Sequence, residues 1–274
     1  MASRAKPSFA ESRMKHLHVT GCGRSGTTLL VEMMRSSFRC DESSEHEQSI
    51  LETPPTSPST IFTKHPGEAA SLRPLLAADL NLGGVYIYRD PRSVICSVHA
   101  KAADCYATNF TSWMKEQMHA KHLKAHPRFV EVRYEELITN PDNVQAKIQK
   151  TFPLLEATGL FSSYHERARP SAGAVQALNG FREVDRERLH AWRNHLSRVK
   201  EQLARHPEMA RMLIERGYET DTAWTSLLSG VQARRYQVWE EKGAHFLKKL
   251  DRWQRRTRRL HKRLALLRAT GSSR

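Results

Sequence analysis

From residue 16 onward the chain alternates short apolar runs with longer segments of helical periodicity. Residues 16–21 (HLHVTG) predict a strand running into a turn, and residues 27–38 (TTLLVEMMRSSF) carry apolar positions at helical spacing. Residues 61–64 (IFTK), 85–89 (VYIYR) and 129–134 (FVEVRY) predict three more strands, the middle one buried. Further helices are predicted over 68–80, 92–103, 111–125 and 140–152, with Pro91 at the first turn of the second. Gly83-Gly84 breaks the chain before the strand at 85–89, and the polar, Glu-, Ser- and Pro-rich segment 41–60 reads as a loop. Residues 185–217 look wholly helical, and residues 1–14 look like a disordered leader. Strands alternating with helices imply βαβ units, so the predicted fold class is α/β, a parallel β-sheet flanked by helices.

Charge divides the chain. The net charge is +15 and the pI near 10.0, a balance that points to anionic partners. Residues 234–274 alone hold 14 Lys/Arg against 3 Asp/Glu. We therefore expect a domain at 15–225 and a basic amphipathic helical tail at 231–274. In the tail Trp239, Phe246, Trp253, Leu260 and Leu267 recur every seven residues, with Leu250 and Leu264 four after the second and fourth. Three readings fit this stripe: packing on the domain or on a second copy, lying on an anionic membrane surface, or binding an acidic polymer. No nucleic-acid-binding motif is present, so no nucleic-acid partner is expected. The four cysteines form no CxxC pair and no zinc-ligand spacing with histidine, which suits free thiols in a reducing compartment. The first residues lack the apolar run of a signal peptide, and no 18-residue apolar stretch occurs. The expectation is a cytoplasmic protein that can sit peripherally at a membrane.

The chemistry begins at the end of the first strand, Gly21-Cys22-Gly23-Arg24-Ser25-Gly26-Thr27-Thr28. Glycines let backbone N–H groups converge on an anion, and the following helix adds its positive N-terminus. The spacing matches a nucleotide P-loop, but Thr27 stands where the P-loop lysine belongs. The cation comes earlier, at Arg24. That departure argues against an ATP-dependent kinase, the competing enzyme reading; a non-catalytic nucleotide-binding or membrane-associated scaffold is the other competitor.

At these residues the chain resembles the PAPS-dependent sulfotransferases. GRSGTT looks like their 5'-phosphosulfate loop (Gly23, Arg24, Ser25, Gly26, Thr27, Thr28), and Arg89 followed eight residues later by Ser97 is similar to their 3'-phosphate site. A guanidinium at a strand's C-terminal end can grip a phosphate bidentately, and Ser97 two turns into the next helix can face the same anion. VRYEEL at 132–137, with Tyr134 read as structural, and LHAWRNHL at 189–196, with Gly217-Tyr218, look like later family segments. Arg186 and Arg188 are the choices for the basic residue ahead of the tryptophan. The resemblance covers residues 15–220. It implies a P-loop-type sheet, PAPS as donor with PAP as product, no metal, and in-line sulfuryl transfer to an acceptor hydroxyl or amine.

Such transfer needs cations near the leaving group and a general base for the acceptor. Arg24 suits the first task and, because arginine hardly deprotonates, acts only electrostatically. For the base two family patterns stay open. Glu45 lies 21 residues after Arg24, as in members acting on glycans, with Glu42 and Glu47 beside it. Thr63-Lys64-His65 resembles the Lys-Thr-His segment of small-molecule members, one residue shorter between Lys and His. Lys64 then matches a family lysine that contacts the sulfuryl group, and His65 is the second candidate base. The Glu45 pattern favours a glycan or glycolipid acceptor.

Overall fold

The computed structural model describes residues 16–40, 42–43, 47–52, 60–99, 102–178, 180, 186–242 and 246–269. Its strands are β1 (His16–Gly21), β2 (Glu42–Ser43), β3 (Ile61–Lys64), β4 (Leu82–Tyr88), β5 (Val98–His99), β6 (Ala102–Tyr106) and β7 (Phe129–Arg133). Its helices are α1 (Thr27–Ser37), α2 (Ala69–Ala78), α3 (Pro91–Ile95), α4 (Phe110–Lys121), α5 (Tyr134–Thr139), α6 (Pro141–Thr151), α7 (Tyr164–Arg167), α8 (Ala172–Leu178), α9 (Leu196–Arg205), α10 (Glu208–Glu215) and α11 (Phe246–Ala269). Five strands pair in the order β2-β3-β1-β4-β7, every neighbour parallel. The α/β expectation holds, and the four strands read from the sequence are the four that make most of the sheet. β1 has β3 on one side and β4 on the other, so the chain changes direction across the sheet at β1. Ligand sites in such sheets open at the strand C-termini at this switch point.

Side chains alternate across β1. Leu17 and Val19 join α1 residues Leu30, Met33 and Met34, β4 residues Val85 and Ile87, and α6 residues Val144 and Ile148 in one apolar core. His16, His18 and Thr20 project to the other face, all buried. There His16 Nε2 and His18 Nδ1 lie 2.7 and 2.8 Å from Thr63 Oγ1, and His18 Nε2 lies 3.2 Å from Glu68 Oε2. Glu68 also accepts from Ser49 Oγ and the Ile50 amide, and its own amide donates to Thr20 Oγ1. Burial pushes both histidines below their ordinary value. Burial pushes the Glu68 carboxyl up, but the His18 ring beside it and the hydrogen bond from Ser49 outweigh this and hold it at about 2. The network ties β1, β3 and the segment at 47–52 to the start of α2.

Two predicted helices end differently. The helix expected over 92–103 stops at Ile95. Asp90 caps it and Pro91 starts it, but beyond Cys96 the backbone finds other partners. The Ser97 carbonyl accepts from the Ala107 amide at 2.8 Å, and β5 and β6 pair antiparallel. Ser97 is therefore just past the helix, not two turns into it. The span 185–217 is not one helix either: a 3-10 segment covers Glu187–His195, then α9 and α10 are separated at His206-Pro207. Proline disfavours helical geometry in the residue before it, and His206 leaves the helical region at φ −136° and ψ 73°. An unforeseen anchor closes this region. Arg92 is buried, bonds Asp90 and Glu219, and stacks its guanidinium 4.1 Å from Trp192 and 4.9 Å from Trp224.

The C-terminal chain returns along the domain. α11 packs on α2: Leu267 is buried with Leu72, Leu75 and Leu76, Leu260 and Leu264 pack beside it, and Arg256 donates to Ser71 Oγ. The stripe continues toward the start of α11 through Trp253, which is 64% exposed. Among the described residues no helix is long and apolar enough to cross a membrane.

Glu68→Gln is expected to lower stability at pH 7 by about 1–3 kcal/mol, because a buried charged acceptor of several bonds is weakened. The low carboxyl value stabilises the fold above the unfolded value of 4.5, and this contribution is lost as pH falls toward about 2. Thermal melts across pH 2–7 should therefore show wild type and variant converging in acid.

Candidate functional site

The loop at 22–26 connects β1 to α1 through two left-handed residues, Arg24 at φ 71° and Gly26 at φ 97°. A non-glycine residue pays about 1–2 kcal/mol for that conformation. The turn brings the Ser25 amide to the Cys22 carbonyl at 3.1 Å and leaves Gly26 capping α1 without a side-chain cap. Only glycine fits there: a Cβ on Gly26 would lie 2.4 Å from the Tyr134 ring. The free amides at the start of α1 thus face an opening.

Arg24 and Arg89 converge on that opening. Arg24 Nε donates to Ser97 Oγ at 2.7 Å, and Arg89 Nη1 donates to the Arg24 carbonyl at 3.3 Å. Arg89 sits just past β4. Its carbonyl accepts from Trp113 Nε1 at 3.0 Å, and its guanidinium lies 4.1 Å over the Tyr134 ring. Neither guanidinium forms an ion pair with a described carboxylate. Burial, then the charge of Arg89, presses Arg24 below its ordinary value. Ser25 Oγ and Arg89 Nε are buried with no hydrogen-bond partner among the described residues. Like charges, unused donors and a helix N-terminus together suit an anion with several oxygens.

A cleft of about 870 Å³ opens here, lined by Gly23, Arg24, Gly26, Thr27, Thr28, Arg89, Ser97 and Tyr134. Glu47, Pro66, His99, Thr108, Gln176, Trp192, His195, Trp239 and Glu240 also line it.

The remaining expected residues are placed as follows. Lys64 is buried and reaches the cleft only through Glu47, whose Oε1 is 3.1 Å from its Nζ. Burial lowers the Lys64 value below that of a free lysine. His65 does not line the cleft; its Nδ1 lies 2.7 Å from the Pro66 carbonyl and 3.8 Å from Glu68. Arg186 is exposed and donates to the Thr139 carbonyl at 3.1 Å, outside the cleft lining. Glu45 and the side chains of Glu42 and Arg188 lie outside the described residues. Sequence reasoning passed over Tyr134 as structural, although it lies under the Arg89 guanidinium at the cleft. It gave Trp239 only a heptad position in the tail and did not single out Glu240. Among the described residues no group of three or more His, Cys, Asp or Glu could hold a metal ion.

No protein-family profile matches the chain, and no curated protein matches it. Solved structures do. A sulfotransferase domain from the curacin biosynthetic pathway is similar at TM-score 0.51 and 17% identity, over 76% of this chain and 99% of that one. A sulfotransferase domain from the Synechococcus PCC 7002 olefin synthase is similar at TM-score 0.46 and 15% identity, over 70% and 91%. A retinol dehydratase in complex with androsterone and inactive cofactor PAP is similar at TM-score 0.39 and 12% identity, over 82% and 83%. The chain is built on the sulfotransferase fold.

Gly26→Ala should cost about 1–3 kcal/mol more than Gly230→Ala, since both are left-handed but only Gly26 faces an aromatic ring. Melting temperatures of the two variants check this.

Proposed function

We propose that the protein is a PAPS-dependent sulfotransferase. The observation that carries this reading is the convergence of Arg24, Arg89 and Ser97 on the start of α1, with the buried Ser25 Oγ and Arg89 Nε unpartnered. These residues fit a nucleotide bearing phosphate and phosphosulfate groups. Gly23–Thr28 would hold its 5' end through backbone amides and hydroxyls, and Arg89 with Ser97 its 3'-phosphate. PAPS bound there supplies an activated sulfuryl group, and PAP is the product.

This chain's own residues then have three tasks. Arg24 offsets negative charge developing on the leaving-group oxygen, without giving up a proton. The loop at 41–47 supplies the carboxylate that takes the acceptor's proton. Glu45 is favoured by its spacing from Arg24, and Glu47 lines the cleft two residues later. Lys64 holds Glu47 in position. A carboxylate base in that loop favours a glycan or glycolipid hydroxyl as the acceptor.

The test is the melting temperature with PAP, and separately with ATP plus magnesium. PAP at about 100 times its Kd should add about 2.7 kcal/mol, a rise of about 5–10 °C, and Arg89→Ala should abolish it. Ser25→Ala should leave the ligand-free protein as stable or more so, because a buried unpaired hydroxyl is removed, while shrinking the PAP shift. A shift with ATP plus magnesium and none with PAP would overturn the reading. For the base, Glu45→Gln and Glu47→Gln in a PAPS turnover assay should separate by kcat. Loss of the true base costs about 10²–10⁴-fold.

A further inference from the structure

The segment after α10 forms a strap across the cleft, far in sequence from everything else that lines it. The Tyr106 amide donates to the Gln237 carbonyl at 3.0 Å, and Val238, which is buried, bridges in parallel to Tyr106 at the end of β6. Glu240 Oε2 accepts from Thr108 Oγ1 at 2.9 Å and from Ser112 Oγ at 2.7 Å. Glu241 accepts from Asn109 Nδ2 at 2.8 Å. Trp239 stacks on His99, ring centres 3.9 Å apart and planes 13° off parallel. The strap is thereby fixed to β5, β6 and the start of α4.

Two features of the strap belong to the cleft and are not explained by holding the strap down. Trp239 lines the cleft while 41% exposed, with one ring face on His99. Glu240 also lines it. One carboxylate oxygen takes both hydroxyl donors; the other lies toward the phosphate loop, 3.8 Å from the Cβ position of Gly23. A carboxylate there is unfavourable to an anionic ligand and suited to one that presents O–H donors. Glu47 adds a second carboxylate to the cleft lining. The cleft therefore has the cations Arg24 and Arg89 and, on the strap, an acidic, aromatic part at Trp239 and Glu240. A neutral ring bearing several hydroxyls meets both demands of that part: a flat face for the indole and O–H groups for the carboxylate.

We propose that Trp239 and Glu240 form the acceptor subsite and select a neutral, polyhydroxylated ring such as a pyranose. This rests on the sulfotransferase reading. The two residues determine specificity; the proton of the reacting hydroxyl goes to the loop at 41–47.

The probes are octyl β-D-glucopyranoside and, as a flat acceptor with a single hydroxyl, 4-nitrophenol. PAPS turnover is measured with both, and PAP affinity by calorimetry, for the full chain and for Trp239→Ala, Trp239→Phe and Glu240→Gln. Wild type should favour the glucoside. Trp239→Ala and Glu240→Gln should each raise its KM about tenfold or more with kcat within about threefold, the signature of lost ground-state binding. Trp239→Phe keeps an aromatic face and should restore most of the KM. PAP affinity should be unchanged in Trp239→Ala and Trp239→Phe, and unchanged or tighter in Glu240→Gln, which removes a negative charge beside Gly23. A wild-type KM in both Trp239→Ala and Glu240→Gln overturns the proposal. So does a wild-type protein that binds PAP yet turns over only 4-nitrophenol, or neither probe. Failure of the wild type to bind PAP is a separate result, which removes the sulfotransferase reading itself.

Discussion

Two arginine side chains meet at the N-terminus of a helix with no described carboxylate between them, and the rest of the site is arranged around that repulsion. Arg24 and Arg89 are joined only by a hydrogen bond from one guanidinium to the other residue's carbonyl. The positive end of α1 adds to their field. Folding alone gives no reason to hold such groups together. The arrangement persists because each part is fixed by something else: the left-handed loop, the Trp113 bond to the Arg89 carbonyl, the Tyr134 ring beneath the Arg89 guanidinium, and Ser97 on the Arg24 side chain. A left-handed arginine, two like charges and the unpartnered Ser25 Oγ and Arg89 Nε therefore meet at one place, the combination from which the proposed binding site is argued.

The sheet carries this load on two different kinds of support. On one face β1 rests on a continuous apolar core shared with α1 and α6. On the other it is held by the buried His16, His18, Thr63 and Glu68 network, which also fixes the segment leading to Glu47. The acidic wall of the cleft is thus tied to the same strand whose end forms the phosphate loop. Arg92, between Trp192 and Trp224, does the equivalent job for the C-terminal helices.

Most of the sheet and the glycine-rich turn at 21–28 were legible in the sequence because both are local. Strand periodicity is written over four to seven residues, and the turn at 21–28 depends on glycines and an arginine within one octapeptide. Arg89 and Ser97 could be singled out for the same reason, although the helix between them is shorter than its pattern predicts and the hydroxyl bonds Arg24 rather than Arg89. Ser97 reaches Arg24 because β5 and β6 take over the backbone hydrogen bonds after Cys96.

What tertiary structure alone decided are the partners brought from a distance. Nothing near Lys64 in sequence says that it is buried against Glu47, nor near His65 that it stays out of the cleft lining. The heptad in the tail was compatible with packing on this domain or on a second copy, with an anionic membrane or with an acidic polymer. Packing of Leu260, Leu264 and Leu267 on α2 follows from the path of the returning chain, not from the stripe. The same return brings Trp239 and Glu240 more than 200 residues along the chain to the edge of the phosphate loop. Sequence determined the chemistry that needs only neighbours along the backbone. Contacts across the fold depend on sheet order and chain reversal, which burial of the whole core decides at once and no local pattern encodes.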